Sequence, residues 1–118
     1  MDFEKEKLLD INAVKYLKSL IGKDDKRFFS ELIELYKDES KPALMKLKEA
    51  YKKNDVNLIT DCAGSIKNSA LNIGANRVGK IASYIENAQI KNNYKELGKL
   101  IKLLEDTFYK SLEELAEL

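Results

Sequence analysis

Val56-Asn57-Leu58-Ile59-Thr60-Asp61-Cys62-Ala63-Gly64-Ser65-Ile66-Lys67-Asn68-Ser69-Ala70-Leu71-Asn72-Ile73-Gly74-Ala75 is the stretch on which the fold turns. Its apolar residues recur at three- and four-residue intervals and never alternate, which is the period of a helix and not of a strand. At about 100° per residue, Ile59, Cys62, Ile66, Ala70 and Ile73 fall on one side, the side for a core. Thr60, Gly64, Lys67, Asn68 and Leu71 fall opposite. Gly74 ends this helix. The preceding Asn54-Asp55 reads as a stop followed by a new cap.

The same period extends in both directions. Upstream, Asp10 caps a short helix over about 11–21 carrying Val14, Leu17, Leu20 and Ile21, with its exit at Gly22. Asp24 or Asp25 then opens a long helix over about 26–53, whose stripe is Phe29, Leu32, Ile33, Tyr36, Ala43, Leu47, Ala50 and Tyr51. Pro42 removes an amide donor within it, so a kink or break is expected near Glu39–Lys41. Downstream, Asn76 is read as the cap of a helix reaching about Ile90. Asn92-Asn93 is the next stop and start, with Glu96 in capping-box spacing from Asn93. The last helix, about 94–116, carries Leu97, Leu100, Ile101, Leu104, Phe108, Leu112 and Leu115. Short connections make neighbouring helices antiparallel. The expected fold is all-α: an antiparallel up-down four-helix bundle, with the short first helix covering one end. Residues 1–9 are read as a flexible leader and 10–118 as a single domain, with no internal repeat, low-complexity stretch or linker.

Composition narrows the function. In 118 residues, Lys+Arg is 21 and Asp+Glu is 20, a net charge of +1, which argues against nucleic-acid binding, since that needs a concentrated basic surface. No apolar run reaches the roughly 18 residues of a membrane span, and a cytoplasmic protein is expected. The chain has no histidine. That removes imidazole bases, Ser-His and Cys-His nucleophile pairs and His-ligated metal. No metal or cofactor is expected. The lone Cys62 reads as a small core residue rather than a nucleophile.

Two outer-face residues are unusual. Gly64 stands mid-helix, where glycine costs about 1 kcal/mol relative to alanine, and Leu71 places a large apolar group one turn beyond Lys67. Periodicity alone favours the plain reading, in which Gly64 is drift and Leu71 a scattered surface leucine. The functional reading is a surface on which a partner approaches closely.

The run Ala63–Ala75 resembles the signature A-H-S-L-K-G-S-S-A-N-I-G-A of the histidine-phosphotransfer (HPt) domain family. Ala63, Ser65, Lys67, Ser69, Asn72, Ile73, Gly74 and Ala75 are identical, and Ile66 replaces leucine. The resemblance extends from about residue 10 to 116, through Asp10–Gly22, Asp25–Tyr36 with the downstream Pro42, Asn76-Arg77-Val78 and Tyr84-Ile85-Glu86. It implies a four-helix bundle that relays a phosphoryl group between aspartates of receiver domains through a solvent-facing histidine. A lysine three residues on neutralises the phosphoryl oxygens, and a glycine one turn on lets the receiver approach. By this alignment Lys67 is the lysine, but the histidine position holds Gly64 and the close-approach glycine is Asn68.

The departure decides the chemistry. Glycine offers no nucleophile, an ammonium such as that of Lys67 has no free lone pair, and Ser65 has no base to activate it. No catalytic residue is assigned, and the chain is not expected to be an enzyme. Three readings fit. The first is a pseudo-HPt protein that docks receiver domains without accepting phosphate. The second is a genuine phosphorelay HPt protein whose histidine has been replaced by Gly64. The third is a structural or dimerisation bundle. A docking surface would comprise Gly64, Lys67, Asn68 and Leu71, with Val14 and Leu17 of the short helix as an apolar rim. The expected partner is a receiver domain of a response regulator or hybrid kinase, met by a monomer, with neither nucleic acid nor membrane involved.

Overall fold

Local capping sets the element boundaries. In the computed structural model of the chain, residues 2–21, 26–88 and 93–118 are described. They form a short 3-10 turn at Phe3–Lys5 and five helices, α1 (Ile11–Ile21), α2 (Lys26–Lys52), α3 (Val56–Ile73), α4 (Asn76–Asn87) and α5 (Tyr94–Ala116), with no strand among the described residues. The Asp10 carboxylate accepts the amide of Ala13 at 3.1 Å, Asp55 that of Leu58 at 3.2 Å and Asn93 that of Glu96 at 3.4 Å, so three of the expected caps are made. Gly74 closes α3 at φ 82°, in the left-handed region, and its amide reaches back to the carbonyls of Ala70 and Leu71. The expected exit at Gly22, the cap at Asp24 or Asp25 and the stop at Asn92 lie outside the described residues.

Three expectations are corrected. The first concerns Pro42, which does not break α2: one helix runs from Lys26 to Lys52. Its flanks are held by burial of Tyr36, Ser40, Ala43, Leu44 and Leu47, while Asp38, whose carbonyl lacks its helical donor, is exposed to water. Asn76 is not a cap. Ala75 takes that place without a side-chain bond, and Asn76 Nδ2 donates instead to the carbonyl of Lys7 at 2.7 Å. At its other end α4 stops at Asn87, where Ala88 turns extended, short of the expected end near Ile90, itself outside the described residues. The third correction is the leader, which is docked rather than loose. Phe3 is buried and meets the Tyr84 ring edge-on at 5.8 Å, and Leu9 is buried. The Arg77 guanidinium donates to the carbonyl of Glu6 at 2.8 and 3.0 Å, and the Arg77 amide donates to that of Leu8.

α2 packs on α3 and α5, and α4 packs on α3 and α5, closing a ring of four around one core. The core is built on Leu47, Ile59, Ile66, Ile81, Ile85, Leu104, Phe108 and Leu115. α1 crosses the end of the bundle where α2 starts and α3 and α5 finish. The Asp10 amide donates to the Gly74 carbonyl at 2.8 Å, and Lys18 lies 4.8 Å over the Phe29 ring while donating to the Leu118 carbonyl. At the opposite end Tyr51 and Tyr94 stack at 4.4 Å and 5°. The Tyr51 hydroxyl donates to the Tyr94 carbonyl at 2.9 Å, and the Tyr94 hydroxyl returns a bond to the Tyr51 carbonyl.

Candidate functional site

The candidate site is the side of α3 turned away from α2, where α4 runs alongside. Ile59, Cys62, Ile66, Ala70 and Ile73 are buried as the period requires. Burial also pushes the Cys62 thiol above its ordinary pKa. With those five facing inward, Lys67, Asn68 and Leu71 are left on the other side of the helix.

Gly64 departs from expectation, because it is buried rather than open. The residue covering it comes from α4. A Cβ added at Gly64 would run into Oε2 of Glu86 and lie 3.3 Å from its Cδ. The other oxygen of the same carboxylate, Oε1, accepts from Lys67 Nζ at 2.6 Å, with both side chains about one-quarter exposed at 27% and 24%. One glutamate therefore does two things at once: it neutralises Lys67 and fills the volume into which a side chain from position 64 would project. Helical phase places Gly64 opposite the core correctly. What it does not supply is the neighbouring helix that closes over that position.

The other predicted residues divide. Asn68 is exposed beside this pair. Leu71 is 53% exposed, so it is available as an apolar contact, and it also leans on α4, since a Cβ added at Gly79 would meet its Cδ2 at 2.8 Å. Val14 is not an exposed rim: it is 2% exposed and seated on Gly74, where an added Cβ would lie 2.9 Å from its Cγ2. The α1 register that buries Val14 leaves Leu17 half-buried against the core and turns Ile11, Tyr16 and Leu20 outward.

Glu86 is the member that sequence reasoning missed. It stands in the Tyr84-Ile85-Glu86 segment, recognised as part of the fourth helix, but nothing in the α4 period says that its carboxylate reaches across to α3. Chemically the site holds an ammonium, a carboxylate and an amide, and no imidazole, since the chain has no histidine. Ser69, further along α3, gives its hydroxyl to Glu39 of α2 at 3.0 Å. Among the described residues no cluster of acidic or thiol side chains could hold a metal ion, and no helix is long and apolar enough to cross a membrane.

Comparison with known proteins agrees with this architecture. A family model described as Hpt domain matches residues 31–117. Among solved structures, histidine-containing phosphotransfer protein B (HptB) from Pseudomonas aeruginosa PAO1 is similar in fold, with a TM-score of 0.71 and 18% identity over 95% of this chain and 94% of that one. No curated protein matches the chain.

Proposed function

The chain belongs to the Hpt domain family, and from that premise we propose that it is a receiver-docking member that accepts no phosphoryl group itself, a binding protein rather than an enzyme. One observation carries the reading. The chain has no histidine, and at the position where the family signature places it, the space beside Gly64 is taken by the Glu86 carboxylate. The face around it keeps what docking needs: Lys67 for charge and the half-exposed Leu71 for apolar burial. The partner is a receiver domain, whose phosphorylation pocket is rich in carboxylates, and the protein meets it as a monomer in the cytoplasm. By occupying a receiver without relaying phosphate, it regulates a working relay by competition.

Incubated with acetyl phosphate or a phosphorylated receiver domain, the chain gains no acid-labile phosphoryl group; labelling at any residue overturns the inert reading. In a binding screen against receiver domains encoded by the same genome, Leu71→Asp weakens the complex strongly, because a few buried apolar groups dominate such interfaces. Lys67→Ala acts mostly through a slower, more salt-sensitive association. If no receiver domain binds, or if neither substitution changes a detected complex, the structural-bundle reading takes its place. A second reading, a relay protein whose histidine has been replaced by Gly64, is supported by Lys67, which keeps the family lysine at this position. It requires that Gly64→His with Asn68→Gly restore phosphoryl acceptance.

A further inference from the structure

We infer that Glu86 is an internal competitor for the docking face: its carboxylate occupies Lys67 and the space above Gly64, and an acidic partner pocket gains Lys67 only by displacing it. The inference rests on the receiver-docking reading and adds to it a control element within the chain. The two oxygens of Glu86 act in different directions. Oε1 takes the Lys67 ammonium at 2.6 Å, and Oε2 stands over the Gly64 backbone. Gly64 is thereby matched to Glu86, because any side chain at 64, even a methyl, collides with Oε2.

The electrostatic consequence follows from the pairing. An unpaired lysine on this face would draw a carboxylate-lined pocket. Here the ammonium is already neutralised, and its partner presents a negative charge of the same sign as the incoming pocket, so like charges meet unless Glu86 swings away. The pair is only about one-quarter exposed, and Glu86 is a flexible side chain on the surface of α4, so the swing is open to it. The partner favoured by this arrangement is a pocket acidic enough to outcompete a single carboxylate. A weakly acidic or neutral surface gains nothing from Lys67.

Two measurements on the full chain test this, one without any partner. In competitive acetylation read by mass spectrometry, Lys67 of the unaltered protein reacts several-fold more slowly than exposed lysines such as Lys95, and Glu86→Gln brings it to their rate. Equal rates before and after the substitution overturn the clamp. In the second measurement, Glu86→Gln binds the receiver domain recognised by the unaltered protein about two- to fivefold more tightly, mainly through faster association, the range expected for releasing a part-exposed ion pair. Glu49→Gln, which removes the same charge from an exposed glutamate at the far end of α2, leaves that affinity unchanged. Unchanged or weaker binding by Glu86→Gln overturns the competition. If neither protein binds any receiver domain, the docking reading falls and takes the competition with it, while the acetylation result still reports the clamp by itself.

Discussion

Alanine placed at Gly64 and at Gly98 makes the same chemical change in two helix interiors, and the structure predicts opposite outcomes. Replacing a glycine inside a helix stabilises by about 1 kcal/mol from backbone entropy. At Gly64 the new methyl displaces Oε2 of Glu86, the free end of a flexible side chain. The loss is the Lys67–Glu86 pair, which at its partial exposure contributes up to about 1 kcal/mol. Gly64→Ala is therefore neutral or stabilising by about 1 kcal/mol at most. At Gly98 an added Cβ meets the Tyr51 hydroxyl oxygen at 2.5 Å, Cζ at 2.9 Å and Cε1 at 3.3 Å. That ring cannot give way cheaply, because it is stacked on Tyr94 and tied to it by the reciprocal hydroxyl–carbonyl bonds. Overpacking costs about 1–3 kcal/mol, and a strained hydrogen bond adds about 1 kcal/mol. After subtracting the propensity gain, Gly98→Ala loses about 1–3 kcal/mol. Urea unfolding followed by circular dichroism gives both values, and an unchanged m-value confirms that stability is what moved. In thermal melts the two variants separate by several degrees, at about 4 °C per kcal/mol. Equal shifts of the same sign would refute the reasoning, since they would mean that the Tyr51–Tyr94 pair yields as easily as a surface glutamate. A loss above about 1 kcal/mol for Gly64→Ala would show that Glu86 is held more firmly than a part-exposed ion pair can explain.

Ile66→Ala empties a fully buried position on α3 and loses about 2–5 kcal/mol in the same urea assay. On the same face, Cys62 reacts far more slowly with a disulfide reagent in the native state than in urea, because it is buried and its thiol is pushed up; rapid native labelling would mean that the helical phase of α3 is wrong. The Tyr36 hydroxyl shares a 2.9 Å hydrogen bond with Ser111 inside the core, and burial raises its pKa well above the ordinary 10.0. The unfolded chain then releases this proton before the folded one does, so the tyrosine's stabilising contribution is intact below about pH 10 and declines as the pH rises from there toward the folded value; Tyr36→Phe flattens that alkaline slope in urea melts run across the range. Arg77→Ala removes the guanidinium bonds to the Glu6 carbonyl, so residues 3–8 exchange their amide hydrogens faster while α2 and α5 keep their protection.

By itself the sequence determined the five helices, their caps at Asp10, Asp55 and Asn93, the end of α3 at Gly74 and the inward set Ile59, Cys62, Ile66, Ala70 and Ile73. Each of these is fixed within a few residues along the chain, by a helical period, a side-chain acceptor three positions from an amide, or a backbone angle that glycine takes freely. The absence of histidine was likewise legible from composition alone. Everything that depends on a second element was decided by tertiary packing. Pro42 is carried through because the residues flanking it are buried, and the leader is held because Phe3 and Arg77 find each other's elements at α4. Val14 is withdrawn from the surface because α1 seats it on Gly74. Most of all, the period of α3 put Gly64 opposite the core but could not say that Glu86, twenty-two residues further on, would lie across it. A helix's own sequence determines which way its side chains point. What closes over them depends on the neighbouring helix, and a long polar side chain such as Glu86 finds its partner only once α3 and α4 have packed.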